Sequence, residues 1–121
     1  MKAMVLGAPS AVSLENVKQP NTETGNSIVR VTHSGICGTD LKIFTGGIPA
    51  RYPLIMGHEM IGEVVEAANS DTPKVGTRVI VDPVTFCSNC FHCDIGQTQL
   101  CPNGGLIGRD ADGGFAEYVA A

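Results

Sequence analysis

Four of the chain's five cysteines lie in one fifteen-residue stretch, Cys87-Ser-Asn-Cys90-Phe-His-Cys93-Asp-Ile-Gly-Gln-Thr-Gln-Leu-Cys101. The spacing C-x2-C-x2-C-x7-C lets four sulfurs converge from one short lobe, at about residues 85–105. Tetrahedral zinc asks for four soft or borderline ligands at about 2.3 Å, with no bound water in a structural site. Gly96, Pro102, Gly104 and Gly105 supply the backbone bends such a lobe needs. Four thiolates on one zinc leave a net charge of about −2, so peptide N–H groups must point at the sulfurs. The competing readings are two disulfides, four unrelated buried thiols, or an iron–sulfur cluster. Met1-Lys2-Ala3-Met4-Val5 is too short in apolar length for a secretory leader, which disfavours disulfides and points to a cytoplasmic protein. In the ferredoxin run the fourth cysteine follows after three residues and a second set completes the pair; here it follows after seven. The spacing therefore predicts a structural zinc.

At 121 residues, 43% of them hydrophobic, the chain has the interior of one ordinary domain spanning residues 1–121. Its apolar runs fall short of the roughly eighteen residues of a membrane span. A net charge of −4 argues against nucleic acid or an anionic membrane surface as partner. Fifteen glycines and seven prolines, spread along the chain, point to many turns and short strands.

Residues 1–7 and 11–18 read as strands separated by the turn signal Gly7-Ala8-Pro9, and the β-branched run Ile28–His33 reads as a third. Beyond Gly35, Thr39 or Asp40 is placed to cap a short helix that turns Leu41, Ile43 and Phe44 inward. Ile55–Glu59 and Ile61–Ala67 read as one long or bent strand, in which Gly62 marks a bulge or a close approach of backbone. Further strands are expected at Thr77–Pro83 and Gly113–Val119. The fold class is mainly β: a closed or partly open β-barrel with short helices and a four-cysteine zinc lobe.

The fifth cysteine, Cys37, stands at a strand-to-helix corner, and His58-Glu59 follows twenty-one residues later. Singly, a cysteine is usually a small buried apolar residue and a histidine a hydrogen-bonded one. Together they offer a thiolate, an imidazole and a carboxylate, the ligand mix of an open zinc site. Asp40 could accept the spare ring N–H of His58, and Thr39 would place a hydroxyl where a proton could pass from an alcohol to solvent. The residues alone leave the bland and the metal readings level.

The run Gly35–Asp40, Gly57-His58-Glu59, the cysteine lobe and Asp112–Tyr118 occur in the order and near the spacing of one family. Over nearly the whole chain the sequence resembles the catalytic-domain half of the zinc-dependent medium-chain alcohol dehydrogenases. The resemblance implies a GroES-like fold, a partly open β-barrel. It implies Cys37 and His58 as catalytic zinc ligands, and Glu59 as a carboxylate on the metal or just behind it. Thr39 matches the proton-relay hydroxyl, while Cys87, Cys90, Cys93 and Cys101 match the structural-zinc ligands. The implied activity is oxidation of a small alcohol or polyol, zinc polarising the substrate oxygen while NAD(P) takes the hydride.

The sequence departs from that family in lacking a G-x-G-x-x-G turn for the dinucleotide. The nearest run, Asn103-Gly104-Gly105-Leu106-Ile107-Gly108, misses the first glycine and reads as the loop after the lobe. NAD(P) would then be bound only in a full-length parent enzyme, with residues outside this chain choosing NAD or NADP, and these residues alone should turn nothing over. His33 and His92 read as structural or solvent-facing, and Phe44, Ile48 and Tyr52 as core before substrate cleft. The alternative is a stand-alone zinc-binding barrel acting in binding or assembly, with Leu41–Ile48 and Leu54–Met60 as an exposed apolar face for self-association.

Overall fold

The computed structural model describes residues 1–121, the side chain of Thr24 excepted. β1 (Lys2–Ala8) and β2 (Ala11–Asn16) form an antiparallel hairpin, followed by β3 (Ile28–Ser34) and the helix α1 (Gly38–Phe44). β4 (Leu54–Ile55), β5 (Met60–Glu66) and β6 (Arg78–Val81) come next, and β7 (Val84–Thr85) leads into the cysteine lobe. The lobe holds the one-turn helix α2 (Phe91–Asp94) and a 3-10 turn, Thr98–Leu100; β8 (Gly105–Leu106) leaves it, and β9 (Tyr118–Ala120) ends the chain. The strands make a three-stranded sheet β2-β1-β4, a four-stranded sheet β6-β5-β3-β9 and the pair β7-β8, with every pairing antiparallel. The fold is mainly β, as expected, and the barrel is not closed.

Three elements differ from the sequence pattern. Ile55–Ala67 is not one strand: Gly57, at φ 95, breaks it into β4 and β5. Regular pairing at the C-terminal end is confined to Tyr118–Ala120, because Gly113–Phe115 bonds instead to Ile55–Gly57. In α1 the residue before the first turn is Cys37, not Thr39 or Asp40. Asp40 sits inside the first turn, where its carboxylate reaches back to the Cys37 N–H at 2.8 Å, half of a capping box. That phase buries Ile43 and part of Phe44, and it leaves Leu41 62% exposed instead of turned inward.

The expectation for Gly62 holds. A Cβ there would strike the carbonyl of Arg30 and the side chain of Val29 on the neighbouring strand. The β3–β5 ladder also slips between Val31 and His33, where Thr32 is left over and its hydroxyl donates to the Ile61 carbonyl at 3.1 Å.

Buried side chains gather in clusters that follow the sheets. Val29, Met60, Val64, Val81, Ile107 and Val119 pack across the four-stranded sheet. Leu6, Ile43, Leu54 and Met56 lock α1 onto β1 and β4, with Phe44, Ile48 and Tyr52 packed against them as core. Leu54, Ile55, Met56 and Met60 are each at most 6% exposed, so the apolar side chains of Leu54–Met60 are interior, with Glu59 exposed, and do not form the apolar outer face the sequence suggested. The stretch Phe115–Glu117 joins the two larger sheets. Met4 N–H donates to the Phe115 carbonyl at 2.8 Å, Glu117 N–H to Lys2 at 3.1 Å, and Val31 N–H to Glu117 at 2.9 Å.

Gly62→Ala should destabilise the domain by about 1–3 kcal/mol, since the intruding methyl meets backbone that cannot rotate away. Gly7→Ala, in β1 with nothing within 4 Å of the new Cβ, should be near neutral. Equal denaturation midpoints for the two variants would contradict the close approach.

Candidate metal centres

The four lobe cysteines are brought together by short local elements. Cys87 follows β7, Cys90 and Cys93 sit at the start and in the turn of α2, and Cys101 ends the 3-10 turn. Their sulfurs lie 3.6 Å (Cys90–Cys93), 3.9 Å (Cys90–Cys101) and 3.5 Å (Cys101–Cys87) apart. A tetrahedron with metal–sulfur bonds of about 2.3 Å has edges of about 3.8 Å. A disulfide would need about 2.05 Å, and none of the five cysteines is bonded to another. The sulfurs are also too close together to embrace several irons. The geometry fits one tetrahedral ion.

The electrostatics agree. Cys87 N–H points at Cys101 Sγ from 3.4 Å, and the Asn103 amide nitrogen lies 3.9 Å from Cys87 Sγ. The Asn89 N–H draws the Cys87 thiol down to about 7, whereas desolvation among neighbouring thiols pushes Cys93 up to about 11. Four thiols this close cannot all ionise unless a cation sits among them.

The second constellation is assembled from distant pieces. Cys37 at the head of α1, His58 after the Gly57 turn and Glu59 each bring a ligand atom within 4.8 Å of the others. Asp40, 2% exposed, ties two of them together. Its Oδ2 accepts from the Cys37 backbone, and its Oδ1 lies 3.3 Å from His58 Nδ1, within ion-pair reach though not aligned as a hydrogen bond. Neither of those two atoms has another partner, and a protonated Nδ1 facing Asp40 leaves Nε2 as the nitrogen free for a metal. Thr39 Oγ1 is 3.8 Å from Cys37 Sγ. The Cys37 thiol is lowered from its usual value, first by the Thr39 backbone N–H and then by the His58 ring and the Thr39 hydroxyl. A depressed thiol beside an imidazole and a carboxylate is a ready set of metal donors.

The structure thus gathers Cys37, Thr39, Asp40, His58 and Glu59 in one place and Cys87, Cys90, Cys93 and Cys101 in another. His33 is exposed on β3, and His92 packs edge-on to Phe91 at 5.5 Å; neither adds a ligand atom to either group. What the local reading missed is the backing of His58. Ile55 N–H donates to the Asp112 carboxylate at 2.9 Å, and Gly113, Gly114 and Phe115 N–H donate in turn to Ile55, Gly57 and Met56 at 2.7–2.9 Å. The paired glycines of Asp112-Gly113-Gly114 were the available signal. A hollow of ≈ 580 Å³, lined among others by Val17, Leu54 and Tyr118, touches no residue of either group.

Fold and donor sets together define a domain class, and comparison with known proteins fixes it. The chain belongs to the alcohol dehydrogenase GroES-like domain family, whose profile matches residues 23–121. It is 38% identical over 122 residues to an uncharacterized zinc-type alcohol dehydrogenase-like protein of Haemophilus influenzae, covering 98% of this chain and 36% of that protein. It is 37% identical to D-arabinitol dehydrogenase 1 of Uromyces fabae, covering 98% and 34%. An alcohol dehydrogenase (rspB) of Escherichia coli CFT073, solved with NADH, superposes with a TM-score of 0.92 at 35% identity, covering all of this chain and 36% of that one. The chain thus spans about a third of the length of these relatives. Among the described residues, no helix is long and apolar enough to cross a membrane.

In the reduced, metal-free chain, alkylation of Cys87 should accelerate as pH rises through about 7, while Cys93 should stay slow until about 11. The thiolate is the nucleophile, so the lowered thiol reacts at the lower pH. Peptide mapping after a short iodoacetamide pulse reads the two rates. Equal rates would mean that the sulfurs do not stay clustered without metal.

Proposed function

We propose that this chain is the catalytic-domain portion of a zinc-dependent alcohol or polyol dehydrogenase, with a structural zinc on Cys87, Cys90, Cys93 and Cys101. A second, catalytic zinc would rest on Cys37 and His58, with Glu59 as a third or stand-by ligand. The observation that carries this reading is the open donor set of Cys37, His58 and Glu59, held from behind by one buried carboxylate. When bound there, zinc supplies Lewis-acid polarisation of a substrate oxygen while a nicotinamide cofactor exchanges the hydride.

The chain's own residues divide the remaining work. Asp40 orients the His58 ring and holds the head of α1, fixing two donors with one group. Thr39, half-buried beside Cys37, is placed to take the proton that a substrate hydroxyl gives up and pass it toward solvent. In the lobe four sulfurs would close off a bound metal, which suits a structural role. Hydride transfer rests on a nicotinamide held by the longer protein, and we expect no turnover from residues 1–121 alone. Cytoplasmic residence fits the five free thiols.

Metal analysis tests the division of sites. Two zincs per wild-type chain would mean that the Cys37–His58–Glu59 site is preformed, and one zinc that only the lobe is filled. Cys37→Ser should empty only the second site, with little change in folding. Zinc in structural peptides contributes on the order of 10–16 kcal/mol near neutral pH, so chelation should abolish amide-exchange protection at residues 85–105 first. Cobalt loaded into the second site should change its visible spectrum when small alcohols or polyols are added. A cobalt spectrum indifferent to every alcohol would count against the catalytic reading, and iron in place of zinc would overturn it.

A further inference from the structure

The turn that presents His58 rests on a contact between backbones. Gly57 is in the left-handed region at φ 95, and so is Gly108 at φ 87, on the chain returning from the cysteine lobe. A Cβ on Gly108 would come within 2.6 Å of the Gly57 carbonyl oxygen and 2.7 Å of its carbon. On its other side Gly57 meets Phe115, whose ring would lie 2.6 Å from a Cβ on Gly57. Gly113 closes the stack: a Cβ there would fall 2.7 Å from the Gly108 Cα and strike the Gly57 carbonyl. That carbonyl accepts from Gly114 N–H at 2.9 Å. Gly108 is itself anchored, its N–H donating to Ala111 at 2.7 Å, and its neighbour Ile107 is 5% exposed in the sheet core. His58 is the next residue along from the crowded peptide, and it has no conformational slack behind it.

We propose that Gly108 is a positioning residue of the Cys37–His58–Glu59 site: its bare backbone against Gly57 sets where His58 presents its ring, and it joins that ring to the lobe's return path. The inference rests on the reading of that trio as a metal site. Without a side chain, the return path from Cys101 lies directly behind the ligand turn. With one, the Gly57 peptide must move and carry His58 away from Asp40 and Cys37.

Gly108→Ala is the test, with Gly76→Ala as its control. Gly76 has the same φ, 87, but nothing lies within 4 Å of its added Cβ, so the control reproduces the backbone strain without the collision. Each protein is given one equivalent of zinc to fill the lobe and then titrated with cobalt, read by visible absorption. Gly108→Ala should bind the second metal about 10–100-fold more weakly, the range seen when the groups that orient metal ligands are lost. Gly76→Ala should match the wild type at the second site. Equal second-site affinity for Gly108→Ala and Gly76→Ala overturns the proposal. If the wild-type chain takes no second cobalt, the metal reading fails, and this inference fails with it by a different observation. Should Gly108→Ala not fold, amide exchange in the wild-type chain decides the matter. Filling the second site should slow exchange at Gly108 and Gly114, and unchanged exchange at both would overturn the proposal.

Discussion

The stretch from Asp112 to Glu117 is the constraint on which the rest of the structure depends. It contributes almost no regular secondary structure, yet it bonds to β1 through Phe115 and Glu117, to β3 through Glu117, and to the Ile55–Gly57 segment through Gly113, Gly114 and Phe115. Each sheet alone is small: one has three strands, the other four. What makes them one body is this shared seam, in which the N–H groups of Gly113, Gly114, Phe115 and Glu117 and the carbonyls of Phe115 and Glu117 all find backbone partners. His58 lies where the seam meets the turn between β4 and β5.

At the site itself a single carboxylate performs two orienting tasks. Asp40 caps the short helix that begins after Cys37 and faces the ring of His58 from the other side. Its Oδ2 accepts from the Cys37 N–H and its Oδ1 lies 3.3 Å from His58 Nδ1, so one buried group faces both residues. The consequence is that the spacing between thiol and imidazole is set by helix geometry, not by a flexible side chain. The lobe solves the same chemical problem differently, because its four donors are local and need only turns.

That contrast explains how much could be read from the sequence. The lobe was legible because its spacing alone forces the sulfurs together: Cys87, Cys90, Cys93 and Cys101 are close in the chain and close in space. Cys37 and His58 were legible only in company with the family resemblance, since their meeting depends on tertiary structure. Gly62 was read correctly from its place in an apolar strand. The helix start was not, because Asp40 has the composition of a cap residue and works instead from the third position of the turn. Leu41 followed that error. The break at Gly57 was missed because apolar residues on either side of Gly57-His58-Glu59, Leu54–Met56 before it and Met60–Ile61 after it, read as one continuing strand. Leu54–Met60 looked like an exposed face because apolar composition does not say which side of a sheet will be covered.

The seam also has a kinetic meaning. It joins residues at opposite ends of the chain: Lys2 and Met4 bond to Glu117 and Phe115. Sequence-distant pairings of this kind are slow to nucleate because the intervening loop must close first. On a ribosome, β1 and β2 can pair early, but the two sheets cannot join until nearly all of these residues have emerged. The clustering of the lobe cysteines is local by comparison and can precede that step, drawing the segment between β7 and β8 together and shortening the loop still to be closed. The order of assembly is then hairpin, lobe, seam, and the turn at His58 is among the last features to become rigid.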